Sequence, residues 1–189
     1  MMRRWRHHIQ SLCVIAICVA SIGLAWQTGW LTTAIDALKQ SGTYQVTTFF
    51  DGDTLGVMMD GREEKIRMIG VDTPETHRPN TPVQCYGEAA AAFTKQLIGN
   101  QVVRLEADPT GTNRDRYDRL LRYVYLPDGR LVNKELISQG YGFAYTSFPF
   151  IKLAEFQTAQ TEAEQQQRGL WGGCQVNIQQ GRPQTNNAP

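Results

Sequence analysis

Acidic side chains are concentrated at both ends of the segment from Asp51 to Glu75, and Arg67 lies between them. The segment begins with the sequence DGDT and ends with VDTPE. Carboxylates that a fold brings together repel one another unless a cation lies between them, and a hard divalent cation prefers such oxygen ligands. An arginine beside the cation can bind phosphate oxygens through paired hydrogen bonds. The segment therefore predicts a divalent-metal site with an adjacent arginine, a set of groups suited to cleaving a phosphodiester.

Each of these residues also has a purely structural interpretation. Asp51 and Asp53 are typical of a turn at a DG sequence, and Asp51 either serves that turn alone or lies in the outer shell of a metal. Glu75 could be an ordinary surface acid in a proline-rich loop. Arg67 could be an exposed strand residue, but it is the lone charge in the run from residue 66 to 71. Because a buried charge without a partner is costly, Arg67 in such a strand calls for a nearby anion.

The N-terminal segment is typical of a membrane-directed sequence. Basic residues precede an uncharged run from Ser11 to Trp26. The run can be extended to Leu31, giving about 20 residues, which is enough to span a bilayer. Residues 1–31 are therefore interpreted as a signal anchor or a signal peptide, and both remain open. Either one exports the rest of the chain, which would be membrane-anchored outside the cytoplasm, or secreted or periplasmic after cleavage.

The remainder of the chain is divided into three parts. Residues 32–42 are a short linker, and residues 43–174 are long enough for one folded domain. Residues 175–189 are rich in Gln and Asn, show no apolar period and are expected to be disordered. The domain holds 14 Lys and Arg against 17 Asp and Glu. This balance excludes a nucleic-acid binder that depends on a strongly basic surface, so a polyanion would need local arginines and a metal.

Two of the four cysteines, Cys85 and Cys174, lie in the domain. The first precedes a predicted helix and the second ends the domain. In an exported protein such a pair is a disulfide candidate, and the alternative is two separate thiols.

Hydrophobic patterning and turn residues predict five strands and three helices. Asp60-Gly61 is a strong hairpin turn between the second and third strands. Gly99 and Gly140 end the first two helices, and Asn133 is predicted to cap the second. The predicted strands are Tyr44–Phe50, Thr54–Met59, Lys65–Val71, Val102–Glu106 and Leu120–Leu126. The predicted helices are Glu88–Ile98, Asn133–Gln139 and Ile151–Arg168.

The spacing of the strands favours a small closed barrel over a doubly wound parallel sheet, because hairpins this tight leave no room for successive parallel crossovers. We therefore expect an α+β fold: a five-stranded OB-type β-barrel with about three helices, preceded by the N-terminal transmembrane or signal helix. The face of such a barrel commonly binds oligonucleotides.

Six motifs, taken in chain order, resemble the staphylococcal nuclease (thermonuclease) family. They cover nearly the whole of residues 43–174, and together they are far more specific than DGDT, which alone is also an ordinary turn. The motifs are DGDT at Asp51–Thr54, IRMIGVDTPE at Ile66–Glu75, YGEAAAAFTKQL at Tyr86–Leu97, RDRYDRLLRYVY at Arg114–Tyr125, LVNKELISQGYG at Leu131–Gly142 and RGLW at Arg168–Trp171.

The resemblance implies a Ca2+ site in which Asp53 and Asp72 supply carboxylates and Thr73 supplies its backbone carbonyl. It also implies that Glu75 positions or deprotonates the attacking water. Such an enzyme would cleave DNA and/or RNA and leave 3′-phosphate ends. Pro74 stiffens the loop between the metal ligands and Glu75, which favours preorganisation of the site.

The resemblance also implies that Arg67 and Arg119 bind the phosphate. Asp118 stands where the family often has Gly, so the turn before Arg119 is expected to be reshaped and its positive potential lowered. A structural salt-bridge cluster is the alternative interpretation of Arg119. Tyr117 and Tyr145 are candidates for stacking on bases, although aromatic side chains are more often part of a core.

Two other functions remain open at this point. A noncatalytic nucleic-acid-binding module could use the same barrel, although such modules tend to lack the catalytic residues. A calcium-stabilised structural domain would explain the acidic residues but would not explain Arg67 and Arg119. The expected partners are DNA and/or RNA, and the membrane if the N-terminal segment is uncleaved. No protein partner is predicted, and the chain is expected to be a monomer.

Overall fold

The computed structural model describes residues 42–76, 82–179 and 181–188. The predicted signal or anchor segment, residues 1–31, lies outside the described residues, as does nearly all of the predicted linker. Within the part of the chain that is described, no helix is both long enough and apolar enough to span a membrane.

A closed five-stranded barrel forms the centre of the domain, with the strand order β1-β2-β3-β6-β5. The barrel strands are β1 (Gly42–Phe49), β2 (Thr54–Met59), β3 (Arg62–Met68), β5 (Val102–Glu106) and β6 (Leu120–Tyr125). Neighbouring strands are antiparallel except for β3 and β6, which are parallel. The predicted α+β barrel of OB type is thereby confirmed for the described residues.

Among the residues that the structure describes, four helices and four further strands accompany the barrel. The helices are α1 (Gly87–Ile98), α2 (Val132–Ser138), α3 (Leu153–Gln165) and the one-turn α4 (Leu170–Gly173). The two-residue strands β4 (Val71–Asp72) and β7 (Phe143–Ala144) pair with each other, and so do β8 (Val176–Gln179) and β9 (Arg182–Thr185). The third predicted helix is therefore shorter at both ends than its sequence pattern indicated.

The β2–β3 hairpin sets the register on which the site depends. Its turn has positive φ at both Asp60 (50°) and Gly61 (79°), as a type I′ turn requires. This register pairs Thr54 with Arg67. The end of the DGDT sequence is thus held directly opposite the one arginine of the apolar run.

Apolar side chains from the barrel and the helices form one continuous core. The core includes Leu55, Val57 and Ile66 of the barrel strands together with Leu136 of α2 and Phe156 of α3, all fully buried. Because burial of large apolar side chains is the main favourable term in folding, this core fixes where the connecting loops lie.

The prediction that Asn133 caps α2 is wrong, because Leu131 occupies the N-cap position. Asn133 is fully buried inside the first turn of the helix. Its amide donates to the carbonyl of Ile69 at 2.8 Å, and its Oδ1 accepts a hydrogen bond from the backbone N–H of Val124 at 2.9 Å. A buried polar group must satisfy its hydrogen bonds, so Asn133 ties α2 to the barrel.

The expected disorder of residues 175–189 is also wrong for much of this segment, where β8 and β9 form an antiparallel hairpin. Thr185 is only 3% exposed, and its hydroxyl donates to the carbonyl of Cys85 at 2.8 Å. Composition predicted disorder because the segment has few apolar residues. The hairpin is held instead by backbone pairing and by its attachment to the domain.

Cys85 and Cys174 form a disulfide that joins the segment before α1 to the segment before β8. The backbone N–H of Cys85 donates to the carbonyl of Asn186 at 2.7 Å, and Ala188 donates in the same way to Val83 at 2.8 Å. Covalent and hydrogen-bonded links therefore attach both ends of the hairpin to one short stretch of the domain.

Candidate functional site

Arg67 lies at the centre of the site, at the end of β3, with its side chain 14% exposed. Its Nη1 is 3.0 Å from Oδ2 of Asp53, and its Nη2 is 2.7 Å from Oδ1 of Asp72. Nη1 also donates to the backbone carbonyl of Val71 at 2.7 Å. One guanidinium thus bridges the two acidic motifs that are separated in sequence.

Asp53 is buried and its carboxylate is held on both oxygens. Thr54 donates its hydroxyl to Oδ1 at 3.0 Å. The backbone N–H and the hydroxyl of Thr73 donate to Oδ2 at 2.9 Å and 3.1 Å. These bonds join the DGDT turn to the VDTPE segment, so the geometry brings Asp53, Asp72 and Thr73 together as the sequence motifs indicated.

Four carboxylates act electrostatically on Arg67. Burial by itself lowers the pKa of this guanidinium, but the nearby charges raise it; these belong to Asp53, Asp72, Asp51 and Glu75. The positive charge is therefore retained, as expected for arginine.

For two of the acids, Asp51 and Asp72, the raised pKa disfavours the charged form. Burial, together with the neighbouring Asp53, raises the pKa of Asp51 to about 7. Burial raises the pKa of Asp72 to about 6, with Arg67 acting against the rise and the charges of Asp53 and Glu75 adding to it. The positive charges of Arg67 and, more weakly, of Arg182 act on Asp72 against burial and the neighbouring carboxylates.

The donor set fits a hard divalent cation, because it consists of carboxylate, hydroxyl and backbone oxygens. Within residues 42–76, 82–179 and 181–188, no three His, Cys, Asp or Glu side chains come close enough together to hold a metal by themselves. A Ca2+ ion bound here would therefore use Asp53 and Asp72 and would complete its coordination with backbone carbonyls and water.

Glu75 lies on the same loop, and its backbone is fixed on both sides. Its N–H donates to Oε1 of Gln84 at 2.8 Å, and its carbonyl accepts from the N–H of Gln84 at 2.9 Å. Gly87, the first residue of α1, packs so closely that a Cβ there would lie 2.8 Å from the Glu75 carbonyl oxygen. Any larger residue at this position would displace the loop that carries Glu75.

Arg119 lies immediately before β6 and is engaged by Asp115. Its Nε and Nη2 each lie 2.7 Å from Oδ2 of Asp115, while its Nη1 lies 3.4 Å from the hydroxyl of Thr54. Thr54 is the residue that donates to Asp53, so Arg119 reaches the edge of the site through Thr54. Arg119 therefore both forms a salt bridge with Asp115 and approaches the site at Thr54.

Asp118 has φ of 64°, the left-handed conformation that Gly adopts readily. Asp118 therefore adopts a backbone conformation for which Gly is suited. The backbone N–H of Asp118 donates to the carbonyl of Asp115 at 3.0 Å, and the guanidinium of Arg114 donates to the carbonyl of Asp118 at 2.6 Å.

The two candidate stacking residues occupy different surroundings. Tyr117 is 64% exposed, and the Arg119 guanidinium lies 5.4 Å from its ring centroid. Tyr145 follows β7 and lines a small cavity together with Asp72. The Arg182 guanidinium lies 5.3 Å from the centroid of the Tyr145 ring.

Sequence reasoning missed Arg182, because the tail was expected to be disordered. A signal was present: Arg182 is the one charge among residues 175–189, and it follows Gly181, whose φ is 77° in the hairpin turn. The role of Gly87 was also missed, because its packing against Glu75 depends on how α1 meets the loop.

Sequence comparisons with known proteins find one matching family and several relatives. Residues 65–173 match the family described as staphylococcal nuclease homologue. The chain is 41% identical over 161 residues to a thermonuclease of Staphylococcus hyicus, covering 85% of this chain and 94% of that protein. It is 45% identical over 130 residues to a thermonuclease of Staphylococcus intermedius, covering 68% of this chain and 76% of that protein.

A third relative is the endonuclease YncB of Bacillus subtilis (strain 168), 40% identical over 123 residues. That match covers 64% of this chain and 57% of the relative. The matched residues include most of the described domain, from the end of β3 to α4. The chain belongs to the staphylococcal nuclease homologue family.

Proposed function

We propose that this chain is a Ca2+-dependent nuclease that cleaves DNA and/or RNA and leaves 3′-phosphate ends. Its family membership makes it a nuclease that hydrolyses phosphodiester bonds. The metal, the substrate preference and the product ends are the finer parts of the proposal. The observation that carries it is the bridge of Arg67 between Asp53 and Asp72 beside Glu75.

The proposed roles follow from the charge that hydrolysis builds on the phosphate. The guanidinium groups of Arg67 and Arg119 donate to the phosphate oxygens, and these bonds strengthen as negative charge develops. Glu75 positions the attacking water and accepts its proton, which requires a carboxylate fixed relative to the phosphate. The hydrogen bonds of the Glu75 backbone, one to the side chain and one from the N–H of Gln84, hold the loop that carries this carboxylate.

Asp53 and Asp72 would hold the Ca2+ ion, with the backbone carbonyl of Thr73 as a further ligand. When bound, the ion supplies positive charge to the phosphate oxygens and helps to orient them. Asp53 is already oriented by Thr54 and Thr73. Residues that keep their orientation before the substrate arrives lose little entropy on binding.

We also propose that the protein is exported and acts as a monomer, membrane-anchored or released. The disulfide between Cys85 and Cys174 supports export, because such bonds persist in oxidising compartments.

Tyr117 and Tyr145 are proposed to contact bases. Tyr117 is exposed beside Arg119, and Tyr145 lies beside Asp72, which supports these roles.

Digestion of single- and double-stranded DNA and of RNA in Ca2+, in Mg2+ and in chelator tests the proposal. We expect cleavage in Ca2+, none in chelator, and 5′-hydroxyl ends that polynucleotide kinase labels without prior dephosphorylation. Glu75→Gln should abolish cleavage, whereas the matched exposed substitution Glu162→Gln on α3 should not. Full activity in chelator would refute the metal assignment, and 5′-phosphate ends would refute the proposed bond that is cleaved.

A further inference from the structure

The turn of the C-terminal hairpin lies beside the candidate active site. A cavity of about 30 Å³ is lined by residues of that turn, Gly181 and Arg182, and by Asp72 and Tyr145. A space of this size holds about one or two water molecules, so a nucleotide cannot enter it. A substrate approaching Asp72 would instead lie across the mouth of the cavity, and the hairpin forms one wall of that cavity.

Arg182 presents its charge at this wall. Its guanidinium lies over the ring of Tyr145. In the described part of the chain this guanidinium takes part in no hydrogen bond and no ion pair. Arg67 and Arg119 differ, because both are engaged by carboxylates within the domain. Stacking on an aromatic ring leaves the edge of a guanidinium, with its five donors, available to an anion.

The hairpin is attached firmly enough to hold this side chain in place. The disulfide anchors the start of the hairpin. Near the other end, the N–H of Cys85 donates to the carbonyl of Asn186, and the hydroxyl of Thr185 donates to the carbonyl of Cys85. The neighbouring Gln84 fixes the backbone of Glu75. One short stretch of chain therefore positions both the hairpin and the loop of the site.

We propose that Arg182 is a substrate-binding residue that binds a phosphate next to the scissile one, with Tyr145 as the platform that orients it. This inference rests on the proposed function. Arg67 contacts Asp72 directly, whereas Arg182 lines a cavity with Asp72 and acts on it only through its charge, so the two cations occupy different positions along a bound strand. The domain carries slightly more acidic than basic residues, so each local arginine matters for holding a polyanion.

The test compares Arg182→Gln with Arg104→Gln, in the full chain, on two substrates. Arg104 is a matched control, because it also stacks on a tyrosine, Tyr125, at 4.2 Å, but on the barrel strand β5. On a single-stranded hexanucleotide, Arg182→Gln should raise KM about tenfold, the effect of one charge-assisted hydrogen bond, with kcat unchanged. On a dinucleotide with one phosphodiester bond, wild type and variant should agree. Arg104→Gln should match wild type on both substrates.

Salt dependence gives a second readout that does not require turnover. In a Glu75→Gln background, fluorescence anisotropy of a labelled hexanucleotide measures binding against salt concentration. Arg182→Gln should reduce the slope of log affinity against log salt by about 0.7, the value for one lost phosphate contact on a single strand. Arg182→Lys should keep that slope, because the charge remains.

Unchanged KM and an unchanged salt slope in Arg182→Gln would overturn the inference. An equal loss on the dinucleotide, or a fall in kcat alone, would also overturn it, because the residue would then act on the reacting bond or on the fold. If Arg182→Gln does not fold, the salt dependence of binding by Arg182→Lys provides the test. A slope reduced by about 0.7 in Arg182→Lys would then overturn the inference. Absence of cleavage by the wild-type chain would instead contradict the proposed nuclease function.

Discussion

At the scale of single residues, Arg67 carries most of the argument. A lone arginine in an apolar strand calls for an anion, and the structure supplies two carboxylates in direct contact with it. The sequence also indicated that Arg119 could belong to a salt-bridge cluster. Asp115 contacts three nitrogens of Arg119, which forms that cluster. Arg119 also approaches Thr54 and so lies at the edge of the site.

Arg67→Lys should therefore lower kcat/KM by about 100-fold or more, the usual loss when a preorganised donor is removed. A single ammonium cannot reproduce the planar fork that reaches Asp53 and Asp72 at once. Steady-state cleavage of a defined oligonucleotide measures the effect, with thermal unfolding to check the fold. Arg130→Lys is the control, because Arg130 is half exposed and pairs with Asp128 in a turn. Near wild-type turnover in Arg67→Lys would mean that this arginine only supports the fold.

At the scale of elements, Asp108 connects the barrel to α3. Asp108 is 6% exposed and lies just after β5. Its carboxylate accepts hydrogen bonds from the hydroxyl of Tyr123 on β6, from Thr110, and from the backbone N–H of Ile151 at 2.8 Å just before α3. One carboxylate thus fixes how α3 leaves the barrel, and α3 in turn contributes Phe156 to the core.

These bonds also determine a pH dependence. Burial alone would raise the pKa of Asp108, but the hydrogen bonds from Thr110, Tyr123 and Ile151 outweigh it and lower the pKa below the ordinary value of 3.8. A depressed pKa means that the folded chain binds a proton less readily than the unfolded chain. The stabilisation from Asp108 is therefore complete above the unfolded pKa and is lost as the pH falls through the folded pKa.

Asp108→Asn should lower the free energy of unfolding by about 2 kcal/mol at neutral pH, the order of one hydrogen bond to a charged group. The difference from wild type should shrink as the pH falls below 4. Urea unfolding at a series of pH values measures it. Asp128→Asn, an exposed turn substitution, should show a much smaller effect at neutral pH. A wild-type to Asp108→Asn difference that grew on acidification would contradict the assigned sign.

At the scale of the whole molecule, the disulfide and the C-terminal hairpin extend the domain beyond the barrel. The bond joins residues 89 positions apart, and the loop that it closes contains α1 to α4 together with β5, β6 and β7. The hairpin pairs with the segment before α1 at Gln84 and Asn187. Anchoring the chain end in this way places Arg182 near Asp72, although the two residues are far apart in sequence.

The double substitution of Cys85 and Cys174 by Ser should lower the free energy of unfolding by about 4–5 kcal/mol in the chain-entropy model for a loop of this length. Reductant should lower the stability of the wild-type protein by a similar amount and leave the double variant unchanged. Urea unfolding with and without reductant measures both effects. A difference below about 1 kcal/mol would indicate that the unfolded chain is not restricted by this bond.

Local patterns in the sequence determined the barrel strands, the hairpin turn at Asp60-Gly61 and the membership of Arg67 in an acidic site, because each depends on residues close in the chain. Residue composition was misleading for the tail, since β8 and β9 are stabilised by contacts with Cys85 and its neighbours rather than by an apolar pattern of their own. Asn133 was misread for a related reason: its partners lie on the barrel.

Tertiary structure alone decided the distances on which the chemistry depends. It placed both carboxylates of the bridge on one guanidinium, set Gly87 against the Glu75 loop, and brought Arg182 to the edge of the site. The physical reason is that electrostatic and hydrogen-bond energies depend on separation in space. That separation is fixed by how the core packs, which no short stretch of sequence specifies.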